Sequence, residues 1–344
     1  MSSIRIAVVG AGLLGTRHAR VFSEQPECRL VAVVDVNQER AQTAAARFGA
    51  TAYTDLQTVL ADDLVDAVAV VTPDFLHRDP VVAALQAGKH VFVEKPLATT
   101  LAEVRELVQL SVASNCVTMV NYSQRFLTDY AWIKQRIDRG EIGQPLMVTS
   151  LKFDTIYVPT GMLSWAAQSS PFYFMSSHDL DLTHWFLGVD PVSVYAQETR
   201  GVLEAKGVPV HDGVNVLIGF GNNISTNFHS SWIHPDTYPA IADGYMQIIG
   251  AEGVITYQNR TRKIEFYNKR GGQEIQFTGP ATATEVNGKL IGAFTDSVRH
   301  FITCIQEQQE PMTSPRRILP TAEAQTAVQL SLQRQQPVRL PVES

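Results

Sequence analysis

Cysteine is scarce in this chain. Cys28, Cys116 and Cys304 are the only three in 344 residues, and no two are spaced as CxxC. That excludes a disulfide framework and a cysteine-based zinc knuckle, and it points to a reducing compartment. Long apolar runs are missing as well. The opening MSSIRIAVVGAG holds one Arg and a short apolar run, without the longer core and cleavage site of a signal peptide. No run reaches membrane-spanning length, so a soluble, cytoplasmic protein with no membrane partner is expected. An excess of positive charge is also absent. Lys and Arg number 28 against 34 Asp and Glu, a net charge of −6, which argues against nucleic acid as the main partner. No internal repeat or low-complexity segment is evident.

What the chain does have is length and apolar content. With 45% hydrophobic residues it can bury two cores rather than one. The first 120 residues alternate apolar strand-like runs with helical patterns. IRIAVVG (4–10), RLVAVVD (29–35), DAVAVVT (66–72), HVFVEK (90–95) and CVTMV (116–120) read as strands buried on both faces. Helical segments over 13–24, 38–48, 75–87 and 100–113 separate them, with Asn37 and Thr99 or Thr100 as N-caps. This alternation predicts an α/β fold, a doubly wound parallel sheet.

Past residue 122 the pattern changes. Residues 125–140 read as one amphipathic helix ended by Gly140. Alternating runs follow at 146–158, 191–200, 208–220, 223–234, 244–250, 253–258, 262–267 and 273–278, broken by turns such as GNN, AEG and KRGG. They predict a second α/β domain, a large, mostly antiparallel open sheet, with helices at 176–187, 289–307 and 320–334. The expected domains are 1–122 and 123–344. An uncovered sheet face would expose apolar side chains, so a homodimer or homotetramer formed by sheet-to-sheet packing is expected.

GAGLLG supplies Gly10, Gly12 and Gly15, with Leu13 and Leu14 between them, directly after a strand and at the start of a helix. That is the context in which glycines form a dinucleotide site. Gly10 allows the tight turn, Gly12 lets backbone approach the pyrophosphate, and Gly15 lets the helix pack closely. Asp35 ends the next strand, 20 residues after Gly15, where an acid binds the ribose hydroxyls. A carboxylate there repels a 2′-phosphate, so NAD is favoured over NADP; Arg40 is the one nearby cation that tempers this. Thr72, Pro73 and His77 follow a third strand, where they line a cofactor or, for His77, make a structural hydrogen bond. Glu94 and Lys95 end a fourth. Lys95 suits proton exchange with a substrate hydroxyl if desolvation and a cationic ring lower its pKa. A surface lysine paired with Glu94 is the plainer alternative.

VVGAGLLGTRHAR, VVTPDFLHRD, AGKHVFVEKPLATT and HDLDLTHWFLG occur in this order. Together they resemble the glucose–fructose oxidoreductase/inositol dehydrogenase/MocA family over essentially the whole chain. The resemblance implies NAD(P)-dependent redox chemistry on CH–OH groups of sugars, cyclic polyols and related alcohols. It makes Lys95 the catalytic lysine, often followed by a cis Pro96, and His178 a residue that faces the substrate hydroxyl and relays a proton. It sets Tyr122 and Gln124 beside nicotinamide and substrate, with Arg125 there or in an interdomain contact. An aspartate commonly stands four residues before the histidine; Phe174 stands there in this chain. Asp179 or Asp154 is then a replacement acid, or Lys95 and His178 suffice, or the chemistry is altered. Lys152, Asp154, Trp165, Phe174 and Asp179 are the remaining substrate candidates. His178, Asp181 and His184 share a helix face, but the implied chemistry needs no metal and none is expected. Two alternative functions remain: an NAD-using glycoside-cleaving enzyme without net redox, and a non-catalytic NAD-binding regulatory protein.

Overall fold

The computed structural model describes residues 3–61, 65–163, 165–276 and 283–343. The chain divides into two compact units, Met1–Leu127 with Pro280–Leu319, and Thr128–Gly279 with Pro320–Ser344.

The first unit runs β1 (Ile4–Val9), α1 (Leu13–Ser23), β2 (Cys28–Val34), α2 (Gln38–Phe48), β3 (Thr51–Tyr53), α3 (Leu56–Leu60), β4 (Ala67–Val70), α4 (Arg78–Gln86), β5 (His90–Glu94), α5 (Leu101–Ala113) and β6 (Thr118–Asn121). Its sheet is parallel in the order β3-β2-β1-β4-β5-β6. The order reverses between β1 and β4, the switch point at which such sheets open a crevice at their carboxyl ends. Local chemistry sets the boundaries. The Asn37 side chain accepts from Arg40 N at the start of α2, and Gly49 ends it at φ 69°. Thr100 and Glu103 form a reciprocal capping box on α5. The sequence reading misses β3 and α3, which at three and five residues are too short to carry a periodic signal.

The second unit runs α6 (Thr128–Asp138), β7 (Pro145–Thr155), α7 (Ser177–Leu187), β8 (Pro191–Thr199), β9 (Gly213–Phe220), β10 (Ile224–His234), β11 (Ala242–Gly250), β12 (Gly253–Gln258), β13 (Lys263–Asn268) and β14 (Gly271–Gln276). The hairpin β15 (Thr284–Val286) and β16 (Lys289–Ile291) and helix α8 (Ala293–Glu307) follow, all within the first unit. Then come α9 (Pro315–Arg334) and β17 (Val338–Arg339). The unit boundary falls inside α9, at Leu319/Pro320. The second sheet has nine strands in the order β14-β13-β12-β11-β7-β10-β9-β8-β17, antiparallel except where β10 runs parallel to β7. One face is packed: Leu180 of α7 and Ala324, Ala327 and Val328 of α9 meet Val214, Val216, Ile218 and Phe228. The other face carries exposed Met147, Leu217, Ile249 and Tyr267.

The sequence reading assigns everything after residue 122 to the second domain. The contacts instead return Pro280–Leu319 to the first unit. Phe294, Val298, Phe301 and Ile302 form one apolar stripe on α8, and that stripe joins the core of Ile6, Val8, Phe22 and Phe92. Each such buried side chain is worth roughly 2 kcal/mol. Helix 125–140 is shorter than expected, a 3-10 turn at Ser123–Phe126 followed by α6. Residues 289–307 resolve into β16 and α8. The run expected at 273–278 ends partly in residues outside those described.

Candidate active site

The glycine loop follows β1. Gly10 adopts φ +100°, and a Cβ there would lie 2.4 Å from the Val71 carbonyl oxygen. A Cβ on Gly15 would lie 1.9 Å from the Gly10 carbonyl oxygen. Both positions therefore exclude any side chain. Gly12 differs: its Cβ would meet nothing within 4 Å, so the space above the backbone is open. No side chain caps α1 and no acid stands in its first turn. An uncapped helix start behind an open backbone fits a pyrophosphate. Leu13, 88% exposed, projects beside it.

Asp35 follows β2. Its Oδ2 accepts from Ala11 N at 2.7 Å and its Oδ1 from Asn37 N at 2.8 Å. Each oxygen keeps a lone pair for a ribose hydroxyl. Arg40 is exposed and lines a recess of about 370 Å³ with Asn37 and Arg47. The open backbone, the uncapped helix and the anchored carboxylate together fit NAD.

The ends of β4 and β5 are tied together. His77 is buried, with Nδ1 2.6 Å from the Pro96 carbonyl oxygen and Nε2 3.0 Å from that of Thr72. The ring is spent on joining these two loops. The expectation that it lines the cofactor gives way to the structural hydrogen bond. Thr72 Oγ1 donates to the Leu76 carbonyl, and Pro73 is exposed. Lys95 is half-buried at the end of β5, and its peptide bond to Pro96 is cis. Beneath it the Glu94 carboxylate accepts from Asn121 Nδ2 at 2.7 Å and from Lys95 N at 3.2 Å, and lies 2.6 Å from His18 Nε2. Glu94 therefore pairs with His18. Tyr122 is buried and Gln124 half-buried just after β6. Arg125 donates Nη1 to the Met312 carbonyl at 3.0 Å, a contact inside the first unit.

In the second unit a π-turn, Phe172–Ser176, leads into α7. Such turns occur at functional sites. His178 is half-buried in the first turn of α7. Asp179 is buried and accepts from Lys152 Nζ at 2.7 Å and Ser150 Oγ at 2.6 Å. Lys152 and Asp179 thus neutralise each other. Phe174 packs against Trp165 at 5.7 Å and Trp232 at 5.9 Å between ring centroids. Asp154 is 5% exposed. Burial pushes its carboxyl up to about 6, against smaller lowering contributions from the Trp232 indole and Lys152. Trp232 Nε1 itself lies outside hydrogen-bond geometry with any described group. His184 binds Asp190 and Thr321. Among the described residues no group of three or more His, Cys, Asp or Glu could hold a metal ion.

Residues 4–122 match the family model described as an oxidoreductase family with an NAD-binding Rossmann fold, and residues 130–256 match the GFO/IDH/MocA C-terminal domain. The chain belongs to the GFO/IDH/MocA oxidoreductase family.

Within this family the chain is similar to scyllo-inositol 2-dehydrogenase (NAD(+)) of Bacillus subtilis, 28% identical over 98% of this chain and 97% of the relative. It is equally similar to inositol 2-dehydrogenase of Rhizobium meliloti, 28% identical over 90% of each. Levoglucosan dehydrogenase, solved in complex with NADH and levoglucosan, shares the fold with a TM-score of 0.86 at 23% identity, covering 99% of this chain and 100% of that one.

The family's glycine loop, Asp35, Glu94, Lys95, Tyr122 and Gln124 all stand at or just beyond strand carboxyl ends in the first unit. His178, Lys152, Asp154, Trp165, Phe174 and Asp179 stand in the second. Reading the sequence misses His18 and Asn121, the partners of Glu94, because nothing in their spacing from residue 94 marks them. It also misses Val36 and Phe75, 95% and 62% exposed apolar residues just past β2 and β4. Their exposure was the signal, and exposure is not written in a local sequence window.

Proposed function

We propose that this chain is an NAD-dependent dehydrogenase or reductase that moves a hydride between nicotinamide and a secondary alcohol or ketone of a cyclic polyol, sugar or sugar derivative. The observation that carries this reading is a half-buried Lys95 at the carboxyl end of β5, on the edge of the sheet that bears the open Gly12 backbone and Asp35. The inositol 2-dehydrogenases to which the chain is similar act on ring polyols by name.

NAD, when bound, supplies the hydride acceptor. Lys95 Nζ takes the proton that the substrate hydroxyl loses, or returns it to a carbonyl oxygen in the reverse direction. His178 orients that hydroxyl and shares its proton. Glu94 holds the Lys95 backbone from below. Asp35 selects NAD over NADP by charge. Three unpaired, separated cysteines suit a reducing, cytoplasmic setting.

The test is absorbance of reduced nicotinamide with NAD⁺ and NADP⁺ across inositols, aldoses and sugar acids. Signal with one group establishes the dehydrogenase, and Lys95→Ala is expected to lose turnover while retaining NAD. Wild-type turnover in that variant overturns the assignment of Lys95. Bound NAD with no signal for any compound overturns oxidation of these alcohols and shifts weight to a reductase of an untested carbonyl, to glycoside cleavage without net redox, or to regulation.

A further inference from the structure

On the helix-covered side of β7, Ser150, Lys152 and Asp154 form one row, because side chains two apart share a face. Ser150 and Lys152 are both spent on Asp179. Asp154 is not. The pairing of β10 with β7 breaks at this point: Ser231 faces Phe153 and His234 faces Thr155, so Trp232 and Ile233 together oppose Asp154. A bulge of this kind re-aims side chains and recurs beside active sites. Here it sets the fully buried Trp232 indole next to the carboxyl.

From Trp232 an aromatic row leads outward. Phe174 stands 5.9 Å from Trp232 and Trp165 stands 5.7 Å from Phe174, and Trp165 is 42% exposed. The row therefore begins at a buried carboxyl and ends at solvent. Aromatic faces receive the C–H face of a sugar ring, while an ionised carboxylate accepts hydroxyl hydrogen bonds. A buried carboxyl whose lysine neighbour already serves another acid is costly to keep. Such groups gather at functional sites.

We propose that Asp154 is the acceptor for a substrate hydroxyl, and that Trp165 and Phe174, backed by the buried Trp232, form the wall on which the C–H face of a six-membered ring polyol lies. This assignment rests on the ring-polyol reading above and names the residues that choose the ring. Phe174 is then part of the wall, and the acid comes from the strand rather than from the turn before α7. Lys152 on β7 is the charged group that acts on Asp154, and His234 on β10 and Asp243 on β11 stand one register position away on the neighbouring strands.

The test is calorimetric titration of the NADH-loaded enzyme with scyllo-inositol and with levoglucosan, which forms a ternary complex without turnover. Wild type is expected to bind at least one ring. Asp154→Asn should bind that ring at least tenfold more weakly, with NADH affinity unchanged as the check on folding. Trp165→Ala should weaken the ring several-fold in the same way. Asp154→Glu should recover part of the affinity lost in the Asn variant. Wild-type ring affinity in Asp154→Asn overturns the proposal, as does failure of wild type to bind either ring. Ring binding that depends on Asp154 without NAD reduction in the turnover assay upholds it and sinks the dehydrogenase reading instead.

Discussion

His18 Nε2 lies 2.6 Å from Glu94 Oε1, and the imidazole has no solvent exposure. Burial alone would push the Glu94 carboxyl up. The hydrogen bonds and charge of His18 and the hydrogen bond from Asn121 reverse this and hold it below the usual carboxylate value. A depressed folded value makes the contribution fully present above the ordinary carboxylate range and lost as pH falls through the folded value. Glu94→Ala leaves His18 and Asn121 buried without their acceptor, and should cost about 3–5 kcal/mol in urea unfolding. Glu94→Gln keeps an acceptor oxygen and should cost less. An alanine variant as stable as wild type would show that the pair is not structural.

The three loop glycines should separate folding from binding. Gly10→Ala and Gly15→Ala each drive a Cβ into backbone, at 2.4 Å and 1.9 Å. Backbone cannot move aside as a side chain can, so both variants should lose stability and NAD together. Gly12→Ala meets no protein atom within 4 Å. It should melt like wild type and still bind NAD at least tenfold more weakly, because the methyl fills the space that the pyrophosphate uses. Melting curves with and without NAD read both effects. A Gly12→Ala protein with unaltered NAD affinity would move the pyrophosphate away from this loop.

The strands of the first unit were legible because burial on both faces writes a continuous apolar run, as in Ala67–Val70, where all four residues are buried. The second sheet was legible through alternation, as in β9, where Val214, Val216 and Ile218 point inward and Leu217 outward. Placement of α8 was not. Its apolar stripe announces a helix with a buried face but not which core receives it. That depends on contacts between Phe301 and Phe92, 209 positions apart in the chain. The glycine loop, Asp35 and Lys95 were readable because short motifs fix their surroundings. Asp154 was only one candidate among several, since its burial and its bulge arise from pairing between distant strands.

The uncovered face of the second sheet should hold another copy of this chain. Its central strands present Met147, Leu217, Ile249, Asn227 and Gln247, with little charge. Depletion of charge at the centre is the compositional mark of an interface. Wild type should sediment as a dimer or tetramer at micromolar concentration. Leu217 is 52% exposed in mid-face. Leu217→Lys removes roughly 2 kcal/mol of apolar burial and adds an unpaired charge, so association should weaken at least 100-fold. NAD affinity should not change. A wild-type monomer at micromolar concentration would sink this expectation.

Asp154 should make the protein less stable than it could be. Its carboxyl is raised from an ordinary 3.8 to about 6 by burial. An acid with a raised folded value binds more protons in the folded state. Stability therefore falls as pH rises from about 4 to about 6, and the whole deficit is present at neutral pH. Two pKa units correspond to at most about 3 kcal/mol. Asp154→Asn cannot ionise, so at pH 7.5 it should be more stable than wild type by about 1–3 kcal/mol. At pH 4.5, where Asp154 is protonated in the folded protein, most of that gain should vanish. Urea midpoints of both proteins at the two pH values decide it. A variant that gains stability while losing ring affinity would show a carboxyl kept for binding at the expense of the fold. A variant destabilised at pH 7.5 would make Asp154 a structural acid.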